Sequence, residues 1–246
     1  MDFIGEVVAW LADPANWQGR NGIGIRLWEQ VFLSGASLLA ALAVALPVGL
    51  AIGHTGRGAA AVISISNMGR AVPSLGWLGI FFPLVLLLGT GESGFFTGLL
   101  ALTLLAIPPI VTNTYVGLRE VDRDLIEAGR GMGMREGQLL RRIEVPLALP
   151  VILAGVRTSA VQVVATATLA AVVSGGTLGV IIIQGINGGG RERLVGSALL
   201  VALLSIGTEL LFAFIQHRAT ARGVAAGDAR RARDGDRSDQ ADSRPV

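Results

Sequence analysis

The sequence predicts an all-α integral membrane protein with five membrane-spanning helices, six being the alternative count. Three observations carry this. Hydrophobic residues make up 52% of the 246 positions and charged residues only 15%, where soluble domains carry roughly 25% charge. The deficit is gathered into long uncharged blocks of the length that crosses a bilayer, about 20 residues as a helix. Between the third and fourth blocks lies a polar stretch dense in arginine, the charge pattern of a loop retained in the cytosol.

Along the chain, residues 1–10 (MDFIGEVVAW) carry acids where a signal peptide carries positive charge, and Asp13-Pro14 interrupts the run. The first span is therefore expected to act as its own insertion signal. That span is 31–53, with no charge and with Pro47 inside it; neighbouring helices can satisfy the carbonyl that a proline frees. The second, 59–90, is divided by Arg70 and Pro73. Its first part, 59–69, covers only about 16 Å as a helix and cannot cross alone. It reads as one bent span with Arg70 near one face. The third is 95–118, bent by Pro108-Pro109. Residues 147–174 and 194–216 supply the fourth and fifth.

Arginine placement orients these spans. Arg119, Arg123, Arg130, Arg135, Arg141 and Arg142 crowd the stretch 119–146, which places it in the cytosol. The tail, with Arg218, Arg222, Arg230, Arg231 and Arg233, lies one hairpin further on and falls on the same side. Five spans then put the N-terminus outside and His54–Gly58 inside. Arg20 and Arg26 remain on the outer side, against the arginine rule, and keep six spans open. Residues 219–246 hold almost no large apolar side chain, and such a composition cannot offset chain entropy, so disorder is expected.

The stretch 119–150 reads as a helix–turn–helix. Val121, Leu125, Ile126 and Ala128 give Asp122 to Arg130 an apolar face. Gly131 and Gly133 end that helix, since glycine reaches the left-handed conformation cheaply. A second helix follows from Arg135 to Glu144, with Leu139, Leu140 and Ile143 on one face. Pro146 then opens the fourth span from a first-turn position. An element joined this stiffly to a span can transmit a push.

At these residues a resemblance becomes specific. Glu127-Ala128-Gly129, Gly133, Ile143 and Pro146 match the EAA loop of ABC importer permeases, of the form E-A-A-x3-G-x9-I-x-x-P. Gly129 stands where that family usually has alanine, and Met134 where it often has Ser or Thr able to cap the second helix. The segments Arg70–Leu75, Ile107–Ile110, Asn113–Leu118, Glu144–Pro150, Ala154–Arg157 and Gly175–Gly179 resemble the osmoprotectant permeases in particular. Methionine and other amino-acid importers share much of the layout. The similarity covers about residues 28 to 216.

The resemblance implies a type I ABC importer permease fold. Its permease domain would occupy 27–218 with a coupling loop at 119–146, behind a segment 1–26 outside the cytosol and before a cytosolic tail, 219–246. It implies that Glu127 and Gly133 contact a cytosolic ABC ATPase, while Ile143 and Pro146 anchor the loop to its span. The partners implied are ATPase subunits, a second permease copy or homologue, an extracytoplasmic solute-binding protein and the lipid bilayer of a bacterial inner membrane. No nucleic acid is expected.

Catalysis and metal binding find little support. The chain has no cysteine, only two histidines and no lysine. His54 and His217 sit at span ends with no carboxylate near them in sequence. The glycine-rich stretches 129–133 and 188–190 lack the spacing of a nucleotide loop. No cofactor or metal is expected on this chain, and ATP and Mg would be used by the partner ATPase. A self-sufficient channel or secondary carrier would show an acidic relay or two related halves, and a membrane-embedded enzyme a catalytic cluster. Neither pattern is present in the sequence.

Ionisable residues inside spans are functional candidates by default. Arg157 lies about 15 Å deep in the fourth span and Glu209 about 12 Å deep in the fifth, counted from the same face. They are expected to pair, the alternative being that each snorkels or lines a wet cavity separately. In the fourth span Gln162 and Thr166 share a face, and Ser174 precedes a Gly175-Gly176 break. Irregular backbone at that depth is tolerated only when buried or lining a cavity. These five are the candidate pathway or gate.

Overall fold

The computed structural model describes residues 3–89 and 93–242, with the side chains of Arg70 and of 220–242 outside the description. Every regular element among the described residues is helical. An apolar helix α1 (Phe3–Ala12) leads through a 3-10 turn (Pro14–Trp17) to α2 (Ile23–Thr55). Then come α3 (Ala59–Ala71), α4 (Ser74–Leu87) and α5 (Ser93–Arg119). The polar hairpin holds α6 (Arg123–Gly131) and α7 (Glu136–Leu139), and α8 (Val145–Thr166), α9 (Ala171–Ser174), α10 (Gly179–Gln184) and α11 (Arg191–Asp242) complete the chain.

Four helical runs are long and apolar enough to cross a membrane, namely Ile23–Thr55, Ser93–Arg119, Glu136–Ser174 and Arg191–Ala219. The pair Ala59–Gly69 and Ser74–Leu87 makes a fifth if its two halves count as one span. The count of six finds no further helix long enough to cross among the described residues, the other apolar helices, Phe3–Ala12 and Gly179–Gly188, being shorter. The paired span, second in chain order, bends by 90°, sharper than a kinked helix, because Val72 and Pro73 both adopt extended backbone (ψ 126° and 141°). A residue before proline is pushed out of the helical region. Trp77 Nε1 donates to the Gly69 carbonyl at 3.0 Å across the bend. The Arg70 side chain, expected near one face, lies outside the described residues.

The core sits where α2, α5 and α8 cross, around Leu33, Ala41, Ala45, Ile110, Val111 and Val163. Small residues set the separation. A Cβ on Gly49 would lie 2.7 Å from Thr114 Cβ, one on Gly53 2.9 Å from Leu118 Cβ, and one on Gly155 2.6 Å from Asn113 Cβ. Helices in lipid gain little from burying apolar surface against each other, so close backbone approach and dispersion must hold them.

Four boundaries differ from the sequence reading. The first span begins at Ile23, so the 26/27 division falls inside α2, and Trp10 of α1 packs its ring against Gly196 of α11. The second hairpin helix does not stop at Glu144. It runs on into the fourth span through a π-turn, Leu140–Glu144, in which the Val145 amide donates to the Leu140 carbonyl. Pro146 is the second residue of α8, the first-turn position expected of it, although the π-turn makes the helical run continuous. A proline has no amide and its ring collides with the carbonyl four residues back, and a π-turn relieves that conflict by widening the helix. The fourth span tightens to 3-10 at Ala167–Ala170 before α9. Finally, α11 is drawn to Asp242, through most of the 219–246 stretch read as disordered. Alanine and arginine are strong helix formers, and a span supplies the nucleus a free peptide lacks. Residues 243–246 lie outside the described residues.

Candidate coupling loop and gate

Two polar assemblies occupy opposite ends of the bundle. At one end, Asp122 caps α6 by accepting from the Asp124 amide at 3.0 Å, and Arg130 falls in the last turn, each charge complementing the helix dipole. The helix ends at Gly133 with φ 80°, where no atom lies within 4 Å of an added Cβ. That glycine is required by conformation alone. Leu139 is fully buried, with Ile126, Leu140 and Ile143 packed around Leu118, Val121, Ala148 and Ile152. Glu127 and Ala128 are exposed, and so is Pro146.

Gly129 has a physical reason to replace the usual alanine. It is buried, and a Cβ there would lie 2.6 Å from Leu139 Cδ2 and 3.1 Å from Ile143 Cδ1. Gly129→Val is expected to force the two hairpin helices apart, at about 1–3 kcal/mol for overpacking a filled site. A lower thermal midpoint of the detergent-purified protein, with Gly129→Ala intermediate, checks this. Met134 packs its sulfur 3.5 Å from the same point and caps nothing. The cap position is Arg135, whose amide donates to Gln138 Oε1 at 2.9 Å, so the expected weakness at 134 is met one residue later.

Arg130 and Glu136 join the hairpin's two helices with paired bonds, Nε to Oε1 at 2.9 Å and a second guanidinium nitrogen to Oε2 at 3.1 Å. That hydrogen bond, with the guanidinium charge behind it, holds the Glu136 carboxyl below the usual carboxylate range. A depressed carboxyl contributes stability above its unfolded pKa and loses it as pH falls through the lower folded value. Amides of 130–136 should thus lose exchange protection, corrected for intrinsic rate, as pH falls through and below the ordinary glutamate range. Both side chains are more than half exposed, so the change is modest.

Sequence reasoning missed His54. Its Nδ1 lies 2.7 Å from Glu144 Oε2 and its Nε2 3.3 Å from Glu136 Oε2. The imidazole thus stands within hydrogen-bond distance of Glu144 and within ion-pair distance of Glu136. Glu144 is 3% exposed. The nearest sequence clue is a histidine in the last turn of a helix, a placement that the dipole alone would explain.

At the other end, the candidate break is clamped by α2. Gly175 (φ 62°) and Thr177 (φ 66°) take left-handed backbone, and Thr177 is the single non-glycine to do so among the described residues. Such a conformation costs on the order of 1–2 kcal/mol and persists only where its surroundings enforce it. Glu29 Oε2 accepts from the Thr177 amide at 2.9 Å, and Gln30, fully buried, accepts from the Leu178 amide at 3.3 Å while donating to the Val164 carbonyl at 2.7 Å. Arg26 donates to the Gly175 carbonyl at 2.8 Å, to Glu29 at 2.9 Å and to Asn21 at 2.7 Å. The arginine that stood against five spans is thus 8% exposed and structurally occupied. Ser174 and Gly176 line a cavity of about 540 Å³ with Glu29, Ser93, Phe95 and Thr177. Gly94 abuts its wall so closely that a Cβ would lie 2.4 Å from Ser174 Cα. Gln162 and Thr166 are not among its lining; the Thr166 hydroxyl instead donates to the Gln162 carbonyl at 2.6 Å.

Between these ends, Arg157 of α8 and Glu209 of α11 touch. Arg157 Nε donates to Glu209 Oε1 at 2.7 Å, and a terminal nitrogen faces the same oxygen. Gln216 Oε1 lies 3.4 Å from the guanidinium, and its amide donates to the Pro150 carbonyl at 3.0 Å. This cluster is a polar cross-link between the fourth span and the last.

Residues 41–221 match a family model described as binding-protein-dependent transport system inner membrane component. The glycine betaine/carnitine/choline transport system permease protein OpuCB of Bacillus subtilis is 36% identical over 196 residues, 80% of this chain and 88% of that one. The osmoprotectant import permease protein OsmW of Salmonella typhimurium is 33% identical over 197 residues, 80% and 91% of the two chains. Among solved structures, an inward-facing MetNI methionine ABC transporter superposes with TM-score 0.70 at 25% identity, covering 78% of this chain and 93% of that one.

Proposed function

This chain belongs to the family of binding-protein-dependent transport system inner membrane components, and on that premise we propose that it forms the translocation pathway of an ATP-driven importer for a compatible solute such as glycine betaine, choline, carnitine or proline. The observation that carries the coupling half of this reading is the hairpin 122–144. It presents Glu127 and Ala128 outward, buries Gly129 and Leu139, and continues as one helical run into the fourth span. A surface so built can receive a partner's motion and pass it on without a hinge. In this reading the loop and the C-terminus face the cytosol, as arginine placement indicates. Two ATPase subunits, a second permease copy or homologue and an external solute-binding protein complete the assembly. ATP and Mg act on the ATPase, with none bound by this chain.

Relatives named for betaine, carnitine and choline transport reach 36% identity, against 25% for the methionine transporter. That difference favours the osmoprotectant class over an amino-acid or methionine importer. Ser174, Gly175 and Gly176 serve as the outer gate, and the cavity beside them as the mouth of the pathway. The test is to co-purify the permease with its ATPase and binding protein, titrate the four solutes on the binding protein, and follow ATP-driven uptake into liposomes. Uptake of methionine with none of the four would overturn the solute class. Solute flux without ATP would overturn the importer reading.

A further inference from the structure

The hairpin is fastened to two spans, not one. Continuity through the π-turn joins it to α8, and His54 joins it to the far end of α2. That imidazole stands between Glu144, at the root of the fourth span, and Glu136, whose carboxylate also holds Arg130 at the end of α6. His54 therefore touches both sides of the hairpin at the point where α2 ends in a left-handed Gly56 cap. Among the described residues His54 is the polar side chain that meets the Glu144 carboxylate, which is almost fully enclosed. A buried carboxylate so placed is held where its partner is.

The opposite end of the same helix grips the gate. Arg26, Glu29 and Gln30 hold the backbone of Gly175, Thr177 and Leu178. Both grips lie on the single helix Ile23–Thr55, with Arg26 and His54 about 42 Å apart at 1.5 Å per residue. An axial or rotational displacement applied at His54 is delivered to the 175–178 backbone without crossing a loop. The route through α8 reaches the same place only across a 3-10 segment and a break.

We propose that His54 is the positioning residue through which movement of the coupling hairpin reaches the outer gate, with α2 as the connecting rod. This rests on the hairpin being the ATPase-docking loop. The carboxylates of Glu144 and Glu136 seat the imidazole, and loss of the imidazole leaves the hairpin docked but slack against α2.

The experiment uses the whole complex with its ATPase and binding protein in liposomes, with glycine betaine as solute. The chain has no native cysteine, so one placed at exposed Val172 in α9 reports on the gate by its maleimide labelling rate, nucleotide-free against vanadate-trapped. His54→Ala should assemble and hydrolyse ATP, yet show a several-fold fall in solute imported per ATP and lose the nucleotide-dependent change in labelling. His54→Gln keeps a donor toward Glu144 and should recover most of both. A wild-type ratio and labelling response in His54→Ala overturns the proposal. So does a loss of uptake and hydrolysis in equal proportion, which marks a purely structural role. Should His54→Ala fail to assemble, Glu144→Gln carries the same comparison. Gly133→Val separates the two levels of inference. If it leaves coupling intact the docking-loop reading fails, whereas if it uncouples while His54→Ala does not, only the role of His54 fails.

Discussion

Reversing one charge of the Arg157–Glu209 pair is expected to remove most accumulated protein or most transport, and reversing both to restore a substantial part. Arg157→Glu places two carboxylates at one depth between α8 and α11, and Glu209→Arg places two guanidinium groups there. In a medium that offers no water, a like-charge pair has no remedy except to neutralise or to separate the helices. The double variant rebuilds an opposite pair with the positions exchanged. It should not reach wild type, because Gln216 now faces the guanidinium from Pro150's side and would meet a carboxylate instead. Membrane-fraction protein level and uptake of glycine betaine, measured together for the four proteins, check this. A double variant no better than the worse single would show that contact in the fold carries no energy, and that each charge is solvated on its own.

Gly133→Val is expected to abolish ATP-driven uptake while the protein still accumulates in the membrane. The argument is conformational. Nothing lies near a side chain at 133, so sterics cannot be the cause. A φ of 80° is costly for any L-residue, on the order of 1–2 kcal/mol, and more for one branched at Cβ. The cheapest relief is to change the turn, which swings α6 away from α7 and breaks the Arg130–Glu136 pair. A local rearrangement at an exposed turn leaves the bundle intact, so stability falls little while coupling falls a great deal. Gly133→Ala should be intermediate, and Gly133→Asn better than Ala, since asparagine tolerates the left-handed region. ATP hydrolysis that continues without solute import is the signature. Loss of the protein from the membrane would assign Gly133 to folding instead.

Much of the architecture was legible because lipid imposes simple rules. Uncharged runs marked the spans, and a glycine at 133 marked a turn that only it fits. Counting depths along two antiparallel helices put Arg157 and Glu209 at one level, and in the structure they touch. What escaped was polar, long-range and concentrated on α2. His54 and Glu144 are 90 residues apart, and Glu29 meets Thr177 across 148, separations over which no periodicity speaks. Arg26 was worse than silent, since a topology rule that treats all arginines alike counted it as evidence for another span. The tail is a different case, an expectation drawn from composition alone. Its charge and small side chains forbid a packed core, but they do not forbid a helix that continues one already formed.

The π-turn at Leu140–Glu144 fixes an angular phase. One residue more than an α-helix needs is spent there, and each residue turns a helix by about 100°. The hairpin at one end of the run and the guanidinium of Arg157 at the other are therefore offset by that amount from where a plain helix would set them. Deleting a single residue from 140–143 would leave composition, hydropathy and span length almost unchanged. It would let the segment close as a plain α-helix with the hairpin face in nearly the same phase relative to Glu209, whereas straightening the π-turn with every residue kept would rotate that face by about a quarter-turn, so that docking and the intramembrane contact could not both be satisfied. For a chain of this kind the hairpin keeps its orientation only if the extra residue and the π-turn that absorbs it are kept or lost together.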